Sequence, residues 1–258
     1  MTAYLDRLTE ADKVLLDSIT EGKQVTADQE ISPKYRELIT GLLLQLADSE
    51  LAGAAGYGQL LNLGPTLACR IELSSIVNDK FCQAQNAYEL IKALGLNVEK
   101  YFLLHSWDAR IQRHAQLGYR RASSDKRLNA LMFPLTSWPD LSVFTYLMAT
   151  MARLQFEEFS TASYEPLAEL ATASVSLEKR HSEYGLKWLA NLVEAERLEA
   201  QVSINYWHER VIKSFGPSES EGNVLHRNFG LKHRTNDELS KLWEREICAE
   251  LAKLGLNI

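Results

Sequence analysis

The sequence predicts an all-α protein, a four-helix bundle with extra helices, and three observations carry that expectation. Its 258 residues contain only 13 Gly and 6 Pro, so helix breakers divide the chain into a few long segments. Within those segments apolar residues recur at three- and four-residue steps, the period of a helix with one buried face. A Glu-x-x-His pair, Glu178 and His181, sits inside one such segment, and Glu50 sits inside another. Carboxylates from two helices and Glu-x-x-His pairs from two others form the donor set of a di-metal bundle.

The elements follow in order. From about Ser32 to Asn62, Ile39, Leu42, Leu43, Leu46, Glu50 and Ala54 keep the helical step, which puts Glu50 on or beside the apolar stripe. Pro65 suits the first turn of a second helix, which carries Leu73, Ile76, Val77, Lys80, Ala84 and Ile91 and ends near Gly95. Lys80 thus falls within a hydrophobic run. Val98 to Met132 is more polar, carries Tyr119, Arg120 and Arg121, and reads as a crossover helix plus loop. Ser137 is a candidate cap with Pro139 in the first turn of a third helix running through Phe144, Met148, Met151 and Phe159.

A fourth helix is expected from about Pro166 to Leu192, with Glu178 and His181 one turn apart on one face. A fifth, Glu194 to Phe215, is stopped by Phe215-Gly216-Pro217. Ser218 to Asn223 reads as a polar loop, and Thr235-Asn236-Asp237 opens a last amphipathic helix through Leu239, Trp243, Ile247 and Leu251.

Composition narrows the function classes. A net charge of -6 and a pI near 5.6 give no electrostatic footprint for nucleic acid or an anionic membrane surface. Cys69, Cys82 and Cys248 are odd in number and far apart, which fits buried thiols in a reducing compartment better than a disulfide framework. Met1 to Asp17 has no uninterrupted apolar core, so neither a signal peptide nor a membrane span is expected, and cytoplasmic residence is the default. His105, His114, His208, His226 and His233 show no ligand spacing and are expected at the surface or in packing. Cys82 has no recognisable acid or base beside it.

The order of several motifs resembles the ferritin-like subunits of bacterial phenylacetyl-CoA epoxidase, closest to the catalytic di-iron subunit. The matching stretches are Asp48-Ser49-Glu50 with Gly53, Gly64-Pro65-Thr66-Leu67, Val77-Asn78-Asp79, and Leu135-Thr136-Ser137-Trp138-Pro139-Asp140. Ser163-Tyr164 with Pro166, Glu178 with His181, Phe215-Gly216-Pro217 and Thr235-Asn236-Asp237-Glu238-Leu239 continue the series. The resemblance covers roughly Lys34 to the C-terminus. It implies a single ferritin-like domain over residues 1–258, with a bundle core at about 32–215 and a helical extension at about 216–258.

The resemblance also implies a di-iron site, but this chain departs from its pattern. Glu50, Glu178 and His181 match ligands. Where the family has Asp-Glu-Ala-Gly-His, the chain reads Asp79-Lys80-Phe81-Cys82-Gln83, and the acidic ligand of the third helix falls on Ala149. Lys80, Gln83 and Ala149 therefore replace three of six ligands. A protonated lysine has no lone pair for a metal, yet among buried carboxylates its charge can take over the metal's neutralising role.

The leading expectation is a subunit without a cofactor, non-catalytic or altered, that scaffolds a multicomponent oxygenase or acyl-CoA catabolic complex as a homodimer or a heterodimer with another ferritin-like subunit. The alternative is an iron-dependent monooxygenase acting on an aromatic or acyl thioester through a reduced site of Glu50, Glu178 and His181. A lysine side chain on a helix can also extend past the apolar surface into solvent, which would leave Lys80 with no such role. A third reading places the phosphates of an acyl-CoA against Arg70, Lys232, His233 and Arg234.

Overall fold

The structure is a computed structural model that describes residues 7–113 and 125–258. Tyr119, Arg120, Arg121 and His114, singled out above, lie outside the described residues. Nine α-helices occur among the described residues: α1 Glu10–Thr20, α2 Pro33–Gln59, α3 Leu67–Ala93, α4 Val98–Leu104, α5 Trp107–Ile111, α6 Trp138–Phe159, α7 Glu165–Ile212, α8 Glu221–Asn228 and α9 Asn236–Lys253.

Four of them, α2, α3, α6 and the first half of α7, form the bundle. Short connections pair α2 with α3 and α6 with α7, and α3 packs on α7. Residues 94–137 connect the two hairpins, as a crossover bundle requires. The local chemistry sets the ends. Ser137 accepts a hydrogen bond from the Asp140 amide to open α6, and Thr66 does the same for α3 through Cys69. Pro65 therefore precedes the cap of α3 instead of occupying its first turn. Gly95, at φ +92°, closes the C-terminal end of α3 in a conformation that favours glycine.

The expected fourth and fifth helices run end to end as the two arms of α7 and meet at a kink at Glu196, whose φ/ψ of -139°/56° is not helical, within a turn of the expected boundary between Leu192 and Glu194. Beyond the bend, Phe144 and Trp207 meet edge to face at 4.7 Å. Asp140 accepts from both Ser203 and Trp207. Gly216 stops the run at φ +73°, where Phe215-Gly216-Pro217 is expected to stop it.

Two helices depart from the sequence expectation. Thr9 and Asp12 form a capping box that starts α1. The supposed loop from Ser218 contains the start of α8, capped by Ser220. Nor are all three cysteines buried thiols, because only Cys69 is buried while Cys82 and Cys248 are exposed. Their helices turn those positions away from the core.

The core has two apolar halves. One gathers Phe144, Trp188, Trp207 and Trp243, and the other Tyr35, Ile39, Phe229 and Leu231. On α2, Leu51 belongs to the second half and Tyr57 to the first; on α3, Ile76 belongs to the first and Ala84 to the second. Glu50, Lys80 and Gln83 thus sit in a polar layer between the halves. The helix α2 is long and apolar enough to cross a membrane by composition alone, but 67% of that window is buried within the bundle. Its apolarity follows from this central position, and a buried Glu50 in its middle belongs to a packed protein interior.

Candidate metal-replacement site

Each bundle helix delivers one part of the site. Glu50 comes from α2, Lys80 and Gln83 from α3, Ala149 from α6, and Glu178 with His181 from α7, and all six side chains are buried. The Lys80 ammonium donates to Glu50 Oε2 at 2.9 Å and to Glu178 Oε1 at 3.1 Å. Lys80 therefore turns inward, and the solvent-directed reading of this side chain is set aside. Gly53, one turn beyond Glu50, makes room for it, since a Cβ there would stand 3.2 Å from Lys80 Cδ.

The Glu-x-x-His pair keeps its relation. His181 Nδ1 lies 3.4 Å from Glu178 Oε2, while Nε2 faces Asp79 Oδ2 at 3.0 Å. Asp79, which also binds Arg180, fixes the ring as an outer carboxylate does for a metal-binding histidine. This role for Asp79 was not read from the sequence, although it immediately precedes Lys80. Tyr57, which hydrogen-bonds Thr145, lies near enough to interact electrostatically with Lys80 and Glu178. Ala149 stands one helical turn beyond Thr145 and places no charge in the layer. Gln83 has both amide atoms buried without a hydrogen-bond partner among the described residues.

The electrostatics follow from two carboxylates around one ammonium. Burial alone would depress the Lys80 ammonium, but Glu178 and then Glu50 outweigh it and raise its pKa. Burial also pushes Glu178 upward, yet Lys80 and His181 prevail and hold it down to about 2. Glu50 moves the other way, raised by burial and by the neighbouring Glu178 against the pull of Lys80. Glu178 is the firm anion of the pair, and Glu50 is the carboxylate that takes up a proton first.

This donor set does not suit two irons. The position between the carboxylates is filled by an ammonium that repels a cation and has no lone pair for one. Gln83 and Ala149 supply neither an imidazole nor a carboxylate. Among the described residues, no group of three or more His, Cys, Asp and Glu side chains is arranged to hold a metal ion.

The four residues expected to face CoA phosphates do not share a site. Arg70, at the start of α3, is exposed and donates to the Gly64 carbonyl. Lys232, His233 and Arg234 lie beside Glu158 near the end of α6, by the second apolar half, which takes in Ala87 and Ile91 of α3. Along α3 that separates them from Arg70 by roughly 30 Å, at 1.5 Å per residue. His233 and Arg234 direct their backbone amides at Glu158, and Lys232 donates to Asn236. Of the five histidines without ligand spacing, His208 stacks on Trp243 and His105 on Tyr101, whereas His226 buries an unpartnered Nδ1.

Four long helices with a crossover connection and a central layer of carboxylates and histidine define the ferritin-like class. Within that class the chain belongs to the phenylacetic acid catabolic protein family, whose model matches residues 8–258. A search of curated proteins finds no match.

Proposed function

We propose that this chain is a metal-free, non-catalytic subunit that scaffolds a multicomponent oxygenase or acyl-CoA catabolic complex. The observation that carries the reading is the Lys80 ammonium held between Glu50 and Glu178. It supplies in one covalently attached charge what a metal supplies to those carboxylates, and it keeps the layer folded without one. Among the described residues redox chemistry on oxygen is left with no donor set, so a catalytic role in the complex falls to a partner.

The deciding measurement is metal per chain, by elemental mass spectrometry, on protein from iron-supplemented cells and without chelators. Near-zero metal is expected for the natural chain. The folded triple variant Lys80→Glu, Gln83→His, Ala149→Asp is expected to take up iron, because Glu50, Glu178 and His181 already stand in place. Stoichiometric metal in the natural chain sinks the proposal, and a folded triple variant without iron means the six positions do not form one ligand set.

A partner chain is the second component of the reading. The outer face of α3 leaves Leu67, Ile71 and Phe81 exposed at 75, 61 and 38%, on positions that share one side of the helix. A second ferritin-like subunit, identical or related, would cover that face. Size-exclusion chromatography with light scattering is expected to give a dimer, alone or with a co-expressed ferritin-like subunit, and Ile71→Glu is expected to dissociate it. A strict monomer under both conditions refutes this part.

A further inference from the structure

A cleft of about 260 Å³ opens between α2, α6 and the segment that joins α7 to α9. Glu50 is among its lining residues on the side of the polar layer, Leu46, Met151 and Phe156 give it apolar walls, and His226 and Lys232 line it from the C-terminal segment. Its chemistry is therefore uneven, with a cation on the side away from Glu50.

Lys232 is the unusual member. It is only 5% exposed, and its ammonium donates to Asn236 Oδ1 at 2.8 Å. Its ammonium also stands 5.7 Å from the centre of the Phe159 ring. Glu158, the acid that acts on it, is already taken by the His233 and Arg234 amides and the Arg234 guanidinium. Lys232 makes no ion pair among the described residues. Burial lowers its pKa to about 8, with Glu158 opposing and Arg227 adding to the fall. His226 lines the same cleft, but burial and the neighbouring Lys232 lower its pKa to about 4 and its ring hydrogen-bonds the Leu38 backbone, so it stands there as a neutral imidazole and Lys232 is the buried cation. Asn236 cannot turn away, because its amide nitrogen is directed at the Gly216 and Pro217 carbonyls.

A buried ammonium whose neighbouring acid is already shared among other donors is costly, and an anion arriving through the cleft would lower that cost. The volume restricts the anion. A cavity of about 150 Å³ holds benzene, so this cleft holds on the order of ten heavy atoms. That is too small for a whole CoA thioester, and Arg70 lies too far away to help hold its phosphates.

We propose that the cleft binds a small amphipathic monocarboxylate, its carboxylate on Lys232 and its apolar body along Leu46, Met151 and Phe156 toward Glu50. This site is independent of whether the polar layer holds metal, and it gives a subunit without redox chemistry a ligand of its own.

The test is calorimetric titration of the full chain at pH 7 with 4-phenylbutanoate and octanoate, with the primary amide of each acid, and with CoA. The expected result is saturable binding of one acid per chain, at least about tenfold tighter than its amide, a difference of about 1.4 kcal/mol. Lys232→Met is expected to bring acid binding down to the level of the amide. Equal affinity for acid and amide, or no saturable binding of either, overturns the proposal. So does binding of CoA alone, which would identify a phosphate as the anion. Should Lys232→Met fail to fold, the acid-to-amide ratio of the natural chain decides by itself. Metal content is read separately, so failure here leaves the scaffold reading intact, and the reverse also holds.

Discussion

Replacing Lys80 by alanine is expected to cost on the order of 3–5 kcal/mol at neutral pH, because it leaves two buried carboxylates without their counter-charge. For a chain of this size each kcal/mol corresponds to about 2–4 °C, so the Tm falls by roughly 6–20 °C. The penalty has a pH signature. In the natural chain Glu178 is held down to about 2, so its contribution is present above the ordinary value of 4.5 and is lost as pH falls toward 2. Lys80 is raised above 10.5, so its own contribution is complete below that pH and disappears only above it. In the alanine variant Glu178 is raised as Glu50 already is, and the variant regains stability as pH falls from neutral toward 4.5.

Natural and variant proteins should therefore converge on acidification, as thermal or urea unfolding across pH 4 to 8 would show. A second variant separates charge from packing. Converting Lys80, Glu50 and Glu178 together to Met, Leu and Leu removes every charge, and it is expected to be neutral or stabilising by about 1–4 kcal/mol. A loss below about 1 kcal/mol for Lys80→Ala, or one that does not change with pH, would refute the role assigned to the ammonium.

The polar layer was legible because its parts obey helix geometry. Glu178 and His181 are three residues apart, and Glu50 and Lys80 interrupt apolar stripes, so periodicity places all four on inward faces, while the long Lys80 side chain could still have reached solvent. Their convergence was legible only through the resemblance, since spacing within one helix does not say which helix lies opposite. The same limit explains the separated phosphate quartet. Lys232, His233 and Arg234 look like a basic run in sequence, but a buried Glu158 from another helix binds the backbone of two of them.

Local signals were also passed over. The Thr9–Asp12 capping box that starts α1 is visible in the sequence, as is Ser220 before α8. Both helices are short and lie outside the bundle, so each offers only a few turns over which an apolar period can be read. The bend at Glu196 had the opposite effect. The break between two helices is legible in the sequence, and the expected boundary between Leu192 and Glu194 lies within a turn of the kink.

Gly185→Ala is expected to cost about 3 kcal/mol, although alanine gains about 1 kcal/mol over glycine in helix propensity. Gly185 lies on α7 one turn beyond His181, where α6 and α7 come closest. A Cβ there would stand 2.4 Å from the Tyr146 backbone nitrogen and 2.8 Å from its Cα. Both obstacles belong to a helix backbone, so no side chain can swing aside and the two helices must separate. Separation would loosen Thr145 and the polar layer beside it, and it would expose Trp188, which is 1% exposed and three residues further along α7. A fall in Tm accompanied by a red shift of tryptophan emission would report both effects. Gly41→Ala is the matched control, because a Cβ there meets nothing within 4 Å, and this exposed helical site should gain about 0.5–1 kcal/mol. If the two substitutions behave alike, α6 and α7 do not make the close approach that aligns Glu178 and His181 with Lys80.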